Sequence, residues 1–224
     1  MAEEHVKRTL DIVAALCGLL LLGPVLLVVA VLVRLKLGSP VIFAQDRPGL
    51  GGRTFRLYKF RTMTNERDEG GVPLPDTERL TDFGRALRGT SIDELPELWN
   101  VLIGDMSLVG PRPLAIEYLD RYTDEQLRRH DVRPGITGLA QVSGRNDLAW
   151  DKRLKLDTWY VDNHSLWLDL RILVRTLVKV FRREGASRPG QSDMPDFRNG
   201  HIPGGASSGG PANRPLIRQD GGHV

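Results

Sequence analysis

The order of hydrophobic and polar residues divides the chain into an apolar N-terminal segment, a central region of short elements and a polar C-terminal tail. Residues 12–33 (IVAALCGLLLLGPVLLVVAVLV) carry no charge. At about 1.5 Å per residue, a helix of this length covers roughly 33 Å, about the thickness of the hydrocarbon core of a bilayer. The apolar run is too long for a signal peptide, and no small-residue cleavage site follows it. This pattern therefore predicts a membrane-embedded helix.

Two features bear on whether this helix crosses the bilayer or returns to the side it entered from. Gly23 and Pro24 lie at its middle, and a proline removes one helical hydrogen bond and favours a bend. Basic residues flank both ends of the apolar run: Lys7, Arg8, Arg34 and Lys36. Because cytoplasmic flanks are enriched in Lys and Arg, both ends are expected on the cytoplasmic face. We predict a re-entrant helix bent at Gly23-Pro24, with a kinked helix that crosses the membrane as the alternative.

A β-hairpin is predicted directly after the membrane helix. Residues 41–45 (VIFAQ) and 53–60 (RTFRLYKF) are typical of strands, and the turn sequence DRPGLGG lies between them. The polar residues 64–82 contain two adjacent glycines and two prolines, so they predict a mobile loop.

Short helices dominate the rest of the central region. They are predicted at residues 94–103, at 113–121, from the capping box TDEQ (123–126) onward, and near 147–162. Residues 133–138 (RPGITG) predict a turn, and residues 139–145 (LAQVSGR) predict an extended segment. The expected fold class is α+β, mainly α, with a re-entrant membrane helix, a small β-hairpin and several short amphipathic helices at the membrane interface.

The last predicted helix, residues 165–184, combines a basic stripe with apolar faces. The stripe consists of Arg171, Arg175, Lys179 and Arg182. A basic amphipathic helix is typical of a membrane surface, and a core helix with one solvated face is the alternative. Residues 188–224 are rich in Gly, Ser and Pro and predict a disordered tail. The expected domains are therefore a membrane helix at 1–38, a cytosolic interfacial domain at 39–187, and this tail.

Composition and motif content exclude several classes of protein. The 224 residues are 41% hydrophobic and 26% charged, which excludes a wholly disordered chain. A net charge of +3 excludes a strongly basic nucleic-acid binder, and no nucleic-acid partner is expected. The single cysteine, Cys17, excludes an internal disulfide framework and a thiolate zinc cluster. The sequence contains neither a GxxxxGKS/T phosphate loop nor a GxGxxG dinucleotide motif.

Two adjacent carboxylates, Asp93 and Glu94, lie in the stretch TSIDELPELWN at residues 90–100. At about 100° per residue, a helical wheel puts them with Glu97 on a solvated face. The opposite, buried face consists of Ile92, Leu95, Leu98, Trp99 and Leu102. Ser91 and Glu94 fit a capping box, so a helix cap is the simplest interpretation. A carboxylate at a helix start is also held ionised by the helix dipole, as a nucleophile must be, and an adjacent carboxylate can help to hold Mg²⁺.

Basic residues elsewhere in the chain are candidates to bind phosphate groups beside this pair. Arg112 lies between two prolines, which restrict its backbone, and a rigid guanidinium matches the geometry of phosphate oxygens. The other candidates are Lys59, Arg88 and Arg145. Each of them, taken singly, is more often a surface charge. Combined with the acidic pair and the membrane helix, they indicate phosphate chemistry at a lipid interface.

Several motifs, in order along the chain, resemble those of one protein family. They are KRTLDI (7–12), PVIFAQDRPG (40–49), YKFRTM (58–63), SIDELPELWNVLIGDMSLVGPRP (91–113), RPGITGLAQVSGR (133–145) and LDTWYVDN (156–163). Through these motifs, residues 7–187 resemble the bacterial sugar transferases of the small monotopic phosphoglycosyl transferase type. Members of that family often carry Ser-Pro at the bend of the re-entrant helix, where this chain has Gly23-Pro24.

The resemblance implies an enzyme that moves a sugar 1-phosphate from a UDP-sugar to a polyprenol phosphate, usually undecaprenyl phosphate, with release of UMP. Asp93 would be the nucleophile that forms a phosphosugar-aspartyl intermediate, and Glu94 would join it in holding Mg²⁺. The implied location is the bacterial inner membrane, in contact with membrane lipids, with the catalytic domain on the cytoplasmic face. Such an enzyme would catalyse the first membrane step of polysaccharide or glycoconjugate assembly. A non-catalytic, membrane-anchored interaction module is the alternative, which the presence of Asp93, Glu94 and Arg112 disfavours.

Overall fold

One long helix, α1 (Ala2–Leu37), contains the whole apolar segment in the computed structural model, which describes residues 2–144 and 148–182. Pro24 lies inside α1, and the helix continues on both sides of it. By length and composition, the stretch Glu3–Leu37 is long and apolar enough to cross a membrane. The predicted long apolar helix is thus present, while its membrane location and its re-entrant course stay predictions. The predicted tail at 188–224 lies outside the described residues.

Strands β1 (Ile42–Pro48) and β2 (Thr54–Phe60) form the predicted antiparallel hairpin. Pro48 and Thr54 are the paired residues nearest the turn. Gly51, within the turn, has a φ of 62°, a region of backbone space that favours glycine. The hairpin prediction is confirmed, since strand-forming residues on both sides of a glycine-rich turn are a local signal.

The polar segment predicted as a mobile loop, 64–82, contains a short helix, α2 (Asp76–Arg79), and leads into a second helix, α3 (Asp82–Thr90). Thr81 starts α3 because its side chain accepts a hydrogen bond from the backbone N–H of Gly84. A Cβ atom at Gly84 would lie 1.8 Å from a backbone oxygen of the chain after β2, so only glycine allows this close approach. The loop prediction is therefore wrong in part, because α3 begins where Gly84 packs against the chain after β2, and the polar composition of the segment gives no sign of this contact.

Helix α4 (Glu97–Ile103) corresponds to the helix predicted at 94–103 but begins after Pro96. A proline lacks a backbone N–H and is tolerated at the start of a helix rather than within it. The residues before Pro96 form a separate 3-10 turn, Ile92–Glu94. Ser91 has a φ of 57° and makes no side-chain capping bond to this turn, so the predicted capping box is wrong. Its left-handed backbone instead ends α3.

The remaining elements are β3 (Ser107–Val109), α5 (Asp124–Leu127), β4 (Gly135–Thr137), α6 (Leu139–Ser143), α7 (Trp150–Asn163) and α8 (Leu166–Phe181). Strands β3 and β4 pair in parallel, with Ser107 opposite Gly135. The capping box at the start of α5 is confirmed, as are the helices predicted near 147–162 and at 165–184. The segment 113–121 contains a 3-10 helix, Ile116–Arg121, rather than an α-helix.

Two predictions in this region are wrong. Strand β4 lies within the predicted turn at 133–138, and α6 covers residues 139–143 of the predicted extended segment at 139–145. A strand of 3 residues is too short to show an alternating pattern, and β4 forms because β3 lies beside it. Ala140 and Val142 of α6 are both buried, and their spacing of two also fits a strand, which explains the second error.

Both halves of α1 pack against the rest of the protein. In the N-terminal half, Ala15 contacts a buried cluster that includes Leu98 of α4. In the C-terminal half, Val33 contacts a second cluster that includes Phe60 and Leu87. The outward face of α1 is apolar and more than half exposed at Leu20, Leu21, Leu27, Val28 and Leu35. An apolar surface of this length is unfavourable in water, which supports a membrane location.

Helix α8 also presents an apolar face away from the protein. Ile172 faces inward and is buried. The exposed apolar residues are Trp167, Leu170, Val174, Leu177 and Val178. The basic stripe lies beside this face, and the Arg171 guanidinium lies 5.0 Å from the centroid of the Trp167 ring. An exposed apolar face with a basic flank favours a helix at a membrane surface over a core helix with one solvated face.

Candidate active site

The adjacent carboxylates Asp93 and Glu94 lie on the 3-10 turn between α3 and α4. Ile92, the first residue of this turn, packs on the cluster that contains Leu87 of α3. The left-handed backbone of Ser91 lets the chain change direction between α3 and the turn. The partly buried Ile92 and the two flanking helices therefore hold both carboxylates in place beside β2.

Two basic side chains converge on one oxygen of Glu94. The Nζ atom of Lys59 lies 2.9 Å from Glu94 Oε1, and a terminal guanidinium nitrogen of Arg112 lies 2.6 Å from the same oxygen. Lys59 Nζ also lies 3.0 Å from Glu97 Oε1, in an ion pair whose angles do not suit a hydrogen bond. Lys59 comes from β2 and Arg112 from the loop after β3, so the fold joins three separate segments at this point.

The expectation that these carboxylates face solvent is wrong. Only 7% of Asp93 and 2% of Glu97 is exposed, whereas Trp99, expected in the core, is 50% exposed. A helical wheel assigns polar residues to solvent, but a carboxylate can be buried where basic side chains offset its charge. Lys59 and Arg112 supply that positive charge here.

Glu94 and Arg112 stabilise each other's charged forms. Burial alone would raise the pKa of Glu94, but the charges and hydrogen bonds of Arg112 and Lys59 outweigh burial and hold this pKa well below its usual range. In turn, the Glu94 carboxylate raises the pKa of Arg112 against the opposing effect of burial. Glu94 therefore remains an anion that keeps two cations in fixed positions.

Asp93 differs from Glu94 in its surroundings. Its carboxylate makes no hydrogen bond or ion pair with any residue of the described ranges 2–144 and 148–182. Burial raises the pKa of Asp93, and the neighbouring Glu94 raises it further. The cations that oppose this rise are Lys59, Arg88 and Arg112. The expected stabilisation of the anion by a helix dipole is therefore wrong, because a turn of 3 residues has a small dipole and burial dominates.

Glu97 is a residue of this site that the sequence prediction missed. Burial raises its pKa to about 7 against the attraction of Lys59, and Glu94 adds to the rise. Its only sequence signal was a third carboxylate close after the acidic pair, which a helical wheel assigns to solvent. The contact with Lys59 that makes it part of the site is tertiary.

Replacing Glu97 with glutamine is expected to flatten the pH dependence of stability. Between its ordinary pKa of 4.5 and its folded-state pKa of about 7, the folded protein keeps a proton that the unfolded chain has lost. The contribution of Glu97 to stability therefore falls as pH rises through this window, and glutamine, which has no such proton to lose, removes that contribution. Thermal midpoints of the detergent-solubilised protein across that window measure the effect.

The matched control is Glu78→Gln on the exposed side of α2, which is expected to keep the wild-type pH profile. A Glu97→Gln variant with the same pH profile as the wild type would contradict the effect assigned to burial.

Asn100 is a second residue that the sequence prediction missed. It is fully buried in α4, accepts a hydrogen bond from the backbone N–H of Tyr58 at 3.1 Å and donates to the carbonyl of Arg56 at 2.7 Å. These bonds attach β2 to α4 and so fix Lys59, the next residue of β2, beside Glu97. An asparagine between buried apolar residues of a helix is the signal that could have found it.

The other predicted residues lie in several parts of the protein. Arg88 Nε donates to the Thr62 hydroxyl at 3.0 Å, and its charge acts on Asp93. Arg145 lies outside the described residues. Gly23 and Pro24 lie in α1, where a Cβ atom at Gly23 would meet nothing within 4 Å.

Comparison with known proteins identifies the family. Residues 2–183 match the sequence model of the family described as bacterial sugar transferase. The uncharacterized sugar transferase EpsL of Bacillus subtilis is 58% identical over 80% of this chain and 89% of its own length. The undecaprenyl-phosphate galactose phosphotransferase of Salmonella typhimurium is 42% identical over 83% of this chain. The UDP-N-acetylgalactosamine-undecaprenyl-phosphate N-acetylgalactosaminephosphotransferase of Aeromonas hydrophila is 42% identical over 81% of this chain.

The chain spans only 42% and 45% of the length of the Salmonella and Aeromonas relatives, respectively. The family model covers α1 to α8, including the Asp93-Glu94 pair and Arg112. The chain therefore belongs to the bacterial sugar transferase family.

Proposed function

We propose that the protein transfers a sugar 1-phosphate from a UDP-sugar to undecaprenyl phosphate and releases UMP. The names of two relatives support this proposal, since they describe phosphotransferases of galactose and of N-acetylgalactosamine with undecaprenyl phosphate. The observation that carries it is the arrangement of charges in the site. A buried Asp93 carboxylate, with no partner in the described residues, lies next to Glu94, which holds Lys59 and Arg112.

In this proposal Asp93 is the nucleophile of the first step. One of its oxygens attacks the phosphorus that carries the sugar, and the bond from that phosphorus to the oxygen shared with UMP breaks. The electron pair of that bond leaves with UMP, and a phosphosugar-aspartyl intermediate remains. An oxygen of undecaprenyl phosphate then attacks the same phosphorus, and the Asp93 oxygen leaves with its electron pair and is restored as a carboxylate. Burial suits this role, because a poorly solvated carboxylate is a stronger nucleophile than a hydrated one.

Lys59 and Arg112 provide positive charge for the phosphate groups of both substrates. Because Glu94 already orients both cations, they need little rearrangement when a phosphate enters. Arg88 adds positive charge near Asp93, which opposes protonation of the nucleophile. Arg145 stays a predicted phosphate-binding residue.

Asp93 and Glu94 are also the residues proposed to hold Mg²⁺. Within residues 2–144 and 148–182, no group of three or more His, Cys, Asp and Glu side chains could hold a metal ion. Two adjacent carboxylates nevertheless fit Mg²⁺, which takes one or two carboxylates together with substrate phosphates. When bound, the ion would offset negative charge on the phosphate oxygens.

Release of UMP from a panel of UDP-sugars tests the proposal. Purified protein in detergent, with undecaprenyl phosphate and Mg²⁺, is expected to release UMP and form a lipid-linked sugar diphosphate from at least one UDP-sugar. No release from any UDP-sugar would favour the non-catalytic interaction module. Release at the same rate without the lipid would contradict undecaprenyl phosphate as the acceptor.

We further propose that α1 enters and leaves the membrane on the cytoplasmic face of the bacterial inner membrane. Near its start, Arg8 donates to two carbonyls at the end of α4, at 2.7 and 3.0 Å. At its end, Arg61 donates to the carbonyls of Leu37 and Ser39. Both ends of α1 are therefore bound by the same domain, whereas a helix that crosses the bilayer would carry one end away from it.

Tags at the two termini test this topology. In sealed inner-membrane vesicles with the periplasmic face outward, both tags are expected to be shielded from antibody and protease. The control is a tag on a periplasmic loop of another inner-membrane protein, which has to be accessible in the same vesicles. Opposite accessibility of the two tags would indicate a helix that crosses the membrane.

A further inference from the structure

The loop that carries Arg112 has few backbone groups with which to anchor itself. Pro111 and Pro113 lack a backbone N–H, so residues 111–113 must be held largely through carbonyl oxygens. The carbonyl of Pro111 accepts a hydrogen bond from the backbone N–H of Gly135 at 3.0 Å. The carbonyl of Arg112 accepts one from a terminal guanidinium nitrogen of Arg129 at 2.7 Å. Arg129 therefore binds the peptide unit from which the Arg112 side chain extends.

Arg129 is held in turn by a buried ion pair with Asp157 of α7. Its Nε atom and a terminal nitrogen both donate to Asp157 Oδ2, at 3.2 and 2.8 Å. The side chains are 1% and 3% exposed, respectively. The guanidinium also lies over the ring of Tyr122, 5.8 Å from its centroid. One guanidinium thus connects α7 to the backbone of Arg112, at a site that excludes water.

A buried ion pair of this kind stabilises a fold poorly, because removing both charges from water offsets most of their attraction. Burial raises the pKa of Asp157 in spite of Arg129, which is consistent with such a cost. The pair instead fixes an orientation. The planar guanidinium of Arg129 donates to Asp157 and to the Arg112 carbonyl at the same time, so Asp157 holds it in the position from which it binds the Arg112 backbone.

We propose that Arg129 and Asp157 are positioning residues that hold the Arg112 guanidinium against Glu94, and through it the place where the phosphates of the nucleotide sugar bind. The link to phosphate rests on the proposed function. The placement of Arg112 by Arg129 and Asp157 does not rest on the proposed function, so the placement and the function can be tested separately.

The first test removes both charges together, because one unpaired buried charge could unfold the protein. Arg129→Met with Asp157→Leu is expected to keep a thermal midpoint within a few degrees of the wild type. Since misplacement of a substrate-binding group by about 1 Å can cost about 100-fold, kcat/KM for the UDP-sugar is expected to fall by 10- to 100-fold. The loss is expected mainly in KM for the UDP-sugar, with KM for undecaprenyl phosphate less affected.

The chain offers a matched control in the neighbouring ion pair of Arg128 and Asp162. This pair joins the same two segments, the turn Arg128–His130 and α7, but is exposed. Arg128→Met with Asp162→Leu is expected to keep kcat/KM within about twofold of the wild type, because exposed ion pairs contribute little. An equal loss in both double variants would overturn the inference, since it would mean a general effect on this region.

A double-mutant cycle separates positioning from a purely structural role. If Arg129 and Asp157 act through Arg112, their removal is expected to cause no further loss of kcat/KM in an Arg112→Ala background. A loss that multiplies with that of Arg112→Ala would overturn the inference.

A readout that needs no activity is the ¹⁵N spectrum of arginine side chains in the detergent-solubilised full chain. The Arg112 Nε–H signal, assigned by its disappearance in Arg112→Ala, is expected to shift or broaden in the Arg129/Asp157 double variant and not in the control. Arg129→Lys is the second variant. It keeps a positive charge beside Asp157 but lacks the planar guanidinium with its several N–H donors, and it is expected to shift the same Arg112 signal. An unchanged Arg112 signal in both variants would overturn the inference. Absence of UMP release by the wild type would instead overturn the proposed function and leave this result intact.

Discussion

Asp93→Asn is expected to abolish UMP release, with a loss of at least about 10³-fold, while the protein still associates with membranes. An amide has almost the same shape as the carboxylate but cannot form the phosphosugar-aspartyl intermediate, so it removes the nucleophile and little else. Turnover of the UDP-sugar by variant and wild type, in the same detergent and with the same lipid acceptor, measures the effect. Wild-type turnover by this variant would show that the nucleophile is misassigned.

The same variant is expected to be at least as stable as the wild type. Burial and the neighbouring Glu94 raise the pKa of Asp93, so its ionised form disfavours the folded state at any pH above the ordinary carboxyl pKa. A neutral amide removes this cost, and the thermal midpoint at neutral pH is expected to stay or rise. Asp82→Asn, at an exposed position of α3, is the matched control and is expected to keep full activity.

Glu94→Gln is expected to lower UMP release by roughly 10²- to 10³-fold, through the cations rather than the nucleophile. In the wild type one carboxylate oxygen holds both Lys59 and Arg112, and an amide oxygen without charge holds them less well. We expect a higher KM for the UDP-sugar and a higher Mg²⁺ concentration for half-maximal activity. The measurement is UMP release as each concentration is varied.

Glu94→Gln is expected to lower the stability of the fold, whereas Asp93→Asn is expected to keep or raise it. The folded-state pKa of Glu94 is lowered, so its charge stabilises the fold at every pH above its ordinary pKa, and the variant loses that contribution. Because 35% of the Arg112 side chain is exposed, solvent screens part of the attraction, and a loss of about 1–3 kcal/mol is expected. Glu78→Gln again serves as the control. A Glu94→Gln variant as stable and as active as the wild type would rule out Glu94 as the residue that orients the two cations.

Elements with local signals were predictable from the sequence. The hairpin follows from two strand-forming segments around a glycine-rich turn, and α5 follows from the capping box at 123–126. Helix α8 follows from its basic stripe and apolar faces, which lie close together in the sequence. In each case the residues that decide the structure lie within a few positions of one another.

Elements that depend on distant partners were not predictable in the same way. Strand β4 exists because β3 lies beside it, and the three residues of β4 show no pattern of their own. Ala140 and Val142 are buried at a spacing that fits a strand as well as a helix, and the tertiary packing decides that Leu139–Ser143 is a helix. Helix α4 begins later than predicted because Pro96 separates it from the turn that carries the two carboxylates.

The sequence by itself determined that the chain has a long apolar helix, an acidic pair and a proline-flanked arginine. Only the tertiary structure decided what surrounds them. It buried Asp93 and Glu97, which a helical wheel assigns to solvent, because β2 and the loop after β3 bring Lys59 and Arg112 to Glu94. The physical reason is that charge is long-ranged in a buried site, whereas the spacing of residues in a sequence reports only on neighbours along one helix or strand.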